Sequence, residues 1–525
     1  MQNEVQIQMS RRRKILIVVV VTLGAAILVP VIHHYQLRAA VNDYIAELKA
    51  RGEPMELSQV LPPPVPPEQN GADTFREAAA LIEADEGLLT TNHYYSAMHM
   101  VAPGKAMICS RELDIRGYDV TNSWQEVTAA VAQNEKSFAL LQQIVDKPEF
   151  DFQIKYQQGV ADLDFSNLYL APLKIAALRL ETAALCDIHQ GDTASAVKDL
   201  RVMLALVKAA QDEQFVISEL VRMADVSLAI TVNWEILQST NLTEEQLGEL
   251  QRDWSSLEFI RSEERAMAME RVTGEISLAK WRSSNSELQR YLDLGRKTRE
   301  ALGLQNGEGT FWRNVSLPGR IFLWRYWWSY PDELRCLKGY EVLLHIARFA
   351  ETNGSFQVAL EHQNATLDQL GISKLNSSLD SLLSGNPDFH SMLSESIVTL
   401  AGVTRRVMRI ETAKQIVITA IALKRYELKH GAYPADLNAL VPEYLPTVPR
   451  DPVDGQPLGY RLNADGTFLL YSVGENGKDD GGNPSLEKGA ESSSFNWLNP
   501  DALDWVWPQP ATEAEIQNYY AHPPK

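Results

Sequence analysis

Residues Tyr433–Gly482 read YPADLNALVPEYLPTVPRDPVDGQPLGYRLNADGTFLLYSVGENGKDDGG, and this stretch decides the fold of the C-terminal part of the chain. It contains two apolar runs, Leu458–Leu462 and Phe468–Ser472, separated by the loop Asn463–Gly466. Short apolar runs on either side of Asn, Asp and Gly are typical of antiparallel strands joined by a hairpin loop. The stretch therefore predicts a small antiparallel sheet.

An amphipathic helix is predicted directly before this stretch. Apolar residues recur at three- and four-residue steps from Leu400 to Ala420, which is the pattern of a helix with one buried stripe. Most basic residues of the segment lie off that stripe: Arg405, Arg406, Arg409, Lys414 and Lys424. Gly431 suits a left-handed cap and Pro434 prevents continuation, so the helix should end near Gly431.

The order of these elements resembles the globular half of the major pseudopilin of type II secretion. That family pairs a long helix with a Tyr-Pro step, a loop carrying Asp-Pro, a small antiparallel sheet and a loop rich in Gly and Asp. The matching residues are Tyr433-Pro434, Asp451-Pro452, Tyr460 and Ser472–Asp480. The resemblance covers residues 410–482 and implies a pseudopilin-like α+β module over residues 396–482.

The resemblance also implies a calcium site, because the Gly/Asp loop of that family holds a calcium ion. The corresponding oxygen ligands would be Ser472, Asn476, Asp479 and Asp480. Calcium takes about six to eight oxygen ligands on a bent backbone, and the glycines of the loop would supply the bends. The alternative is a solvated acidic turn. Asn483-Pro484 follows the glycines, where the family has a fuller pattern of Asp.

One departure from the family changes the interpretation of the module. A pseudopilin begins with a short leader, a cleavage site and a hydrophobic helix that runs directly into the helix described above. Here the hydrophobic segment lies near residue 20, and no Gly-Phe-Thr-type processing site precedes it. We therefore interpret residues 396–482 as a module attached to another protein, not as a polymerising pilin.

The N-terminal segment predicts a membrane anchor. Four basic residues, Arg11–Lys14, precede the run Ile15–Ile32, which has no charge. This is close to the roughly 20 residues that a helix needs to cross a bilayer core. A signal peptide is the alternative, but no small-x-small cleavage site follows. We predict a cytoplasmic tail (1–14) and an uncleaved anchor (15–35) that contacts the bilayer through 15–32, with the rest in the periplasm of a bacterium.

The middle of the chain predicts a helical body. Residues 36–71 read as a helix and a proline-rich spacer, residues 72–395 as mostly helical, and residues 483–525 as a tail rich in Trp and Pro. Gly191-Asp192 separates two helical patterns, which resembles a tetratricopeptide-type hairpin, although no unit repeats at a fixed period. The predicted fold is mainly α, and this arrangement resembles a group of bacterial membrane-anchored helical proteins with no known activity.

Residues 311–330, FWRNVSLPGRIFLWRYWWSY, concentrate Trp and Arg. One interpretation is a patch for a protein partner or a membrane surface, since both residue types are frequent there. The other is an aromatic core with stacked arginines, and we favour it.

Composition and motifs limit the functional classes. The formal net charge of −19 argues against nucleic acid as a main partner. The three widely spaced cysteines match no disulfide framework or zinc pattern. Ser277–Lys280 and Ser485–Lys488 fit Ser-x-x-Lys, but both lack the Lys-Thr-Gly partner, so the sequence contains no complete catalytic motif. Glu341 and His345 lie one helical turn apart, but without a third ligand they are better explained as a surface pair.

These observations predict a non-catalytic, single-pass protein of the inner membrane, which presents a helical scaffold and the module to protein partners in the cell envelope. One alternative is an envelope hydrolase with a site assembled from dispersed residues, for which a cleft lined by carboxylates or histidine would be evidence. Another is a component associated with type II secretion.

Overall fold

The computed structural model describes residues 11–83, 88–89, 95–117, 120–147, 149–158, 169–301, 317–372, 392–488 and 496–522. The protein is mainly helical, and small sheets are formed by short strands in the C-terminal region and near residue 100. The predicted fold class is confirmed at this level.

The helices are α1 (Arg11–Ala50), α2 (Leu57–Val60), α3 (Ala72–Glu83), α4 (Trp124–Gln133), α5 (Glu135–Gln142), α6 (Leu170–His189), α7 (Thr193–Ala209), α8 (Val216–Leu237), α9 (Glu244–Ser255), α10 (Ile260–Ser283), α11 (Asn285–Ala301), α12 (Leu317–Leu323), α13 (Ser329–Asn353), α14 (Gln357–Gln369), α15 (Ser394–His430) and α16 (Glu513–Ala521). The strands are β1 (His99–Ala102), β2 (Lys105–Met107), β3 (Ile115–Arg116), β4 (Thr121–Asn122), β5 (Gly459–Leu462), β6 (Phe468–Ser472), β7 (Trp505–Val506) and β8 (Gln509–Pro510).

The chain divides into two compact units. Unit 1 comprises residues 1–59, 275–341 and 367–399, and unit 2 comprises residues 60–274, 342–366 and 400–525.

Unit 1 contains α1, and the segment predicted as an anchor, residues 15–35, lies within this helix. The side chains of residues 11–18, 21, 23–27 and 30 lie outside the described residues. Among the residues that are described, no helix has the length and apolarity needed to cross a membrane.

The Trp-rich segment of unit 1 forms α12 and a short π-helical turn, Trp324–Trp328. Trp312 and Arg313 lie outside the described residues. Trp324 is fully buried, whereas Phe322, Tyr326 and Trp327 are exposed. The segment thus contributes to the core on one face and leaves aromatic rings exposed on the other.

The helical hairpin predicted around Gly191 is confirmed in unit 2. Helices α6 and α7 are joined at Gly191, whose φ of 81° is left-handed, and Asp192 caps α7 by accepting a hydrogen bond from the Ser195 amide at 3.1 Å. Both helices pack against α8. In the segment from Trp124 to Val145, the helix is interrupted at Asn134, which gives α4 and α5.

The hairpin predicted in the C-terminal stretch is also confirmed, since β5 and β6 pair antiparallel from Gly459–Tyr471 to Leu462–Phe468. Helix α15 ends at His430, and Gly431 follows with a φ of 76°. The tail adds to this sheet, because β7 pairs with β6 through Tyr471–Val506 and Ser472–Trp505. Strand β8 then pairs in parallel with β2, on the sheet that also contains β1.

Candidate functional site

Unit 2 contains an open cavity of about 590 Å³, which we call the arginine cavity. This volume lies within the range of about 300–1,000 Å³ typical of small-molecule sites. Its walls come from the β1 region, α8, α15, the tail and α16. The lining residues are Ser96, Met98, His99, Met100, Leu220, Met223, Ala224, Ser227, Ile230, Thr231, Arg406, Arg409, Ile410, Asn496, Trp497, Leu498 and Tyr519.

Helix α8 contributes one continuous face to this wall. Its lining residues run from Leu220 to Thr231 at steps of three and four, or of one within a pair, so they share one side of the helix. Helix α15 contributes Arg406, Arg409 and Ile410 by the same periodicity. The apolar part of the lining includes the buried side chains of Met98, Met223 and Trp497.

The charge of the arginine cavity is positive. Arg406 is exposed, and within the described part of the chain neither Arg406 nor Arg409 makes a hydrogen bond or an ion pair; the Nε of Arg409 is buried without a partner. Burial lowers the pKa of the Arg409 guanidinium, and the positive charges of Arg406 and Arg405 lower it further. The negative charge of Glu475 acts in the opposite direction and raises this pKa. No Asp or Glu is among the described residues that line the cavity.

The neighbouring Arg405 differs from these two arginines. Its Nη1 lies 3.1 Å from the Oε1 of Glu475, and its side chain does not line the cavity. Helix α15 thus carries one paired arginine and, next to it, two arginines that face the cavity.

A histidine and a tyrosine form a polar edge of the cavity. The Nε2 of His99 lies 2.9 Å from the hydroxyl of Tyr519, and the two rings meet edge to face at 5.2 Å. Burial lowers the pKa of His99, and Arg116 lowers it further. The lowered pKa favours the uncharged form of His99 at neutral pH. Its Nε2 and the Tyr519 hydroxyl form one hydrogen bond.

Two buried carboxyl groups lie behind the cavity wall. Glu181 Oε1 accepts hydrogen bonds from the Ala97 amide at 2.9 Å and the Thr231 hydroxyl at 3.1 Å. Glu235 accepts hydrogen bonds from the Ser110 amide at 2.8 Å and the Ser110 hydroxyl at 2.7 Å. Burial raises the pKa of Glu181 to about 8. This carboxyl is therefore mostly protonated at neutral pH and does not compensate the arginine charges.

The residues predicted as calcium ligands lie in and next to the Gly/Asp loop. Ser472 is buried, and its side chain forms a hydrogen bond with Asp451. The Ser472 hydroxyl oxygen also accepts a hydrogen bond from the Gly474 amide at 3.3 Å. The Asn476 Oδ1 accepts from the Lys478 amide at 2.8 Å, and its Nδ2 lies 3.4 Å from Asp480 Oδ2. Asp479 Oδ1 accepts from the Tyr471 hydroxyl and the Gly481 amide, each at 2.9 Å.

Asn476 and Asp480 therefore contact each other, whereas Ser472 and Asp479 face other partners. Among the described residues, no group of three or more His, Cys, Asp or Glu is placed to hold a metal ion. The side-chain oxygens of Ser472, Asn476 and Asp479 accept hydrogen bonds from separate backbone amides, so the described residues do not form a set of converging calcium ligands.

Asp504 holds the Gly/Asp loop closed, and no sequence pattern predicted this role. This buried carboxylate, located in the tail, accepts hydrogen bonds from the amides of Asp480 at 3.3 Å, Gly482 at 2.9 Å and Asn483 at 2.8 Å. Asp504 directly precedes β7, so the sheet positions it under the loop. Because it belongs to the tail, no local pattern in residues 472–482 could have indicated it.

The other candidates from the sequence have separate surroundings. Glu341 forms an ion pair with Arg51 at 3.1 Å. His345 stacks on Phe349 with ring centroids 6.3 Å apart. Cys109 and Cys186 are buried, and all three cysteines are free thiols.

No protein-family model, curated protein or solved structure matches this chain. The likeness of residues 410–482 to a pseudopilin therefore remains a prediction from the quoted residues.

Proposed function

We propose that this protein is a membrane-anchored interaction protein of the bacterial cell envelope, with its folded body on the extracytoplasmic side. The observation that carries the proposal is the charge-free run 15–32 behind Arg11–Lys14. The described apolar side chains of this run are exposed, among them Val20 at 59%, Leu28 at 58% and Val29 at 62%. A charge-free run of a helix that exposes apolar side chains is more stable in contact with lipid than with water.

An aromatic patch at the end of this run supports the same proposal. The ring of His33 lies 5.9 Å from that of Trp327, and His34 Nδ1 lies 3.1 Å from the Tyr326 carbonyl oxygen. Phe322 is exposed beside Tyr326, with ring centroids 4.8 Å apart. Trp and Tyr are enriched at both surfaces of a membrane, so an exposed aromatic patch at the outer end of the anchor fits the interface.

The C-terminal module supports a role in protein interaction. We propose that residues 396–482 are a pseudopilin-like module, supported by the long helix α15, the hairpin β5–β6 and the Gly/Asp loop in the order that family uses. Co-purification with a type II secretion platform would assign the module to that assembly.

Membrane fractionation tests the anchor. We expect the full-length protein to stay in membranes washed with alkaline carbonate, and alkaline phosphatase fused after Lys525 to be active. The double substitution Val20→Lys with Leu28→Lys should release the protein, since each lysine at depth costs about 2.5–3.5 kcal/mol. The matched control, Tyr35→Lys at the end of the run, should remain membrane-bound. Release of the unmodified protein by carbonate would refute the anchor.

The envelope hydrolase remains a second candidate, because the arginine cavity places His99 beside hydroxyl groups. Two details weigh against it. The Ser96 hydroxyl donates to the Ala97 carbonyl at 3.3 Å, and the Ser227 hydroxyl donates to the Met223 carbonyl at 2.8 Å. A serine nucleophile needs a neighbouring base instead. Ester or phosphoester hydrolysis that is lost in His99→Ala but retained in His345→Ala would favour the hydrolase over the interaction protein.

A further inference from the structure

We propose that the arginine cavity binds a small amphipathic anion, with a carboxylate or phosphate head at Arg406 and Arg409 and an apolar body against Met98, Met223 and Trp497. The inference concerns unit 2 alone and does not depend on membrane anchoring.

The head-group position follows from the two arginines. Their guanidinium groups are on adjacent turns of α15, face the same cavity and have no hydrogen-bonding partner among the described residues. Guanidinium groups bind carboxylates and phosphates through paired, charge-assisted hydrogen bonds. One anion between them would relieve the repulsion between like charges and give the buried Nε of Arg409 an acceptor.

The surroundings favour an anion over a cation. The described lining contains no acidic residue, although the chain as a whole has a net charge of −19. Two acidic groups lie outside this lining: Glu475 forms an ion pair with Arg405 through Oε1 and partly offsets the charge of Arg409, and Glu181 accepts a hydrogen bond from the Thr231 hydroxyl. The described lining is therefore positive although the chain as a whole is acidic.

The remainder of the lining indicates an apolar body on the ligand. Three methionines, Met98, Met100 and Met223, are buried at the cavity wall, together with Trp497. Methionine side chains are flexible and polarizable, so they adapt to alkyl or aromatic groups of varied shape. A simple inorganic anion would leave this apolar surface in contact with water.

Calorimetry on the full-length protein in nanodiscs of zwitterionic lipid tests the inference, with empty nanodiscs titrated in parallel. The probes are octanoate, octyl phosphate, octylammonium, acetate and inorganic phosphate. We expect octanoate, octyl phosphate or both to bind, and octylammonium to bind at least about tenfold more weakly, as expected for one charge-assisted contact. If only octanoate or only octyl phosphate binds, the result identifies the head group as carboxylate or phosphate. If both bind, the negative charge alone is sufficient for recognition of the head group.

Matched variants locate the site. Arg406→Gln and Arg409→Gln should each weaken binding of the octyl anion about tenfold, because each removes a charged contact. Arg461→Gln, at an exposed position of β5 outside the cavity lining, should leave the affinity within about twofold. Ala224→Trp, which fills the cavity, should abolish binding, with circular dichroism as the check on folding.

Three results would overturn the inference: no binding of either octyl anion, equal binding of octylammonium, or unchanged affinity in both Arg406→Gln and Arg409→Gln. Equal affinities for acetate and octanoate would refute the apolar part of the site. Arg406 is exposed and the Nε of Arg409 makes no hydrogen bond, so these two variants should fold even if Ala224→Trp does not.

Discussion

Single residues decide how the Gly/Asp loop is held. The carboxylate of Asp504 accepts hydrogen bonds from three loop amides, and the buried Asp451 accepts from the Val473 amide at 2.9 Å. Two carboxylates outside the loop thus satisfy backbone donors that would otherwise be unpaired. Charge-assisted hydrogen bonds of this kind are stronger than neutral ones.

We predict that Asp504→Asn lowers the free energy of unfolding by about 1–3 kcal/mol, because an amide replaces one accepting oxygen and leaves a buried donor unpaired. Urea unfolding measures the change. Asp501→Asn, at an exposed position three residues earlier, should change stability by less than about 0.5 kcal/mol. Equal effects of the two substitutions would show that Asp504 does not hold the loop.

The calcium prediction also belongs to this scale. If the loop binds calcium, millimolar calcium should raise the melting temperature, because a ligand that binds only the folded state stabilises it. The shift should disappear in the Asp479→Asn, Asp480→Asn double variant and should not occur with magnesium. A thermal scan with calcium and with a chelator measures it, and identical curves would refute the site.

At the scale of elements, local sequence patterns predict a helix or strand correctly where the element that it pairs with is near in sequence. The loop Asn463–Gly466 connects β5 to β6, and Gly466 has the φ of 84° that such a turn favours. The strands β1 and β2 were missed, because they are short and one partner, β8, lies near the other end of the chain. Arg406 and Arg409 were assigned to a polar helix face, and periodicity alone cannot distinguish a face in water from one that lines a cavity.

The α6–α7 hairpin gives an element-scale prediction. Gly191→Ala should destabilise the protein by about 1 kcal/mol, because alanine is strained at the left-handed φ of 81°, although an added Cβ would meet nothing within 4 Å. Gly402→Ala, inside α15 and equally open, should instead stabilise by about 0.5–1 kcal/mol. Urea unfolding of both variants checks the opposite signs, and destabilisation by Gly402→Ala would contradict the helical propensity argument.

At the scale of the whole molecule, unit 2 buries several carboxyl groups. Burial is the main cause that raises each pKa, to about 8 for Glu181 and Glu263 and to about 7 for Glu213, Asp225 and Glu270. All five have a pKa well above that of an unfolded chain, about 4. The folded state therefore retains protons that the unfolded state releases.

We predict that stability decreases as the pH rises from about 5 to about 8, by up to about 1.4 kcal/mol per pH unit for each such carboxyl. The stabilisation is complete below the unfolded pKa and is lost as the pH passes the folded pKa. Urea midpoints across this range test the sign. Glu263→Gln should flatten the slope, and Glu245→Gln, at an exposed site, should not. A midpoint that rises with pH would contradict the prediction.

The pairing of β8 with β2 has a consequence for biosynthesis. Gln509 donates its amide to the Gly104 carbonyl at 3.0 Å, and the Trp234 Nε1 donates to the Pro508 carbonyl at 2.8 Å. The ribosome therefore makes β2 long before it makes β8. Until residues 509–510 emerge, the edge of β2 in the nascent polypeptide stays unpaired, and unpaired edges are prone to aggregation and proteolysis. A message cut short near codon 500 would therefore yield a product that quality control removes.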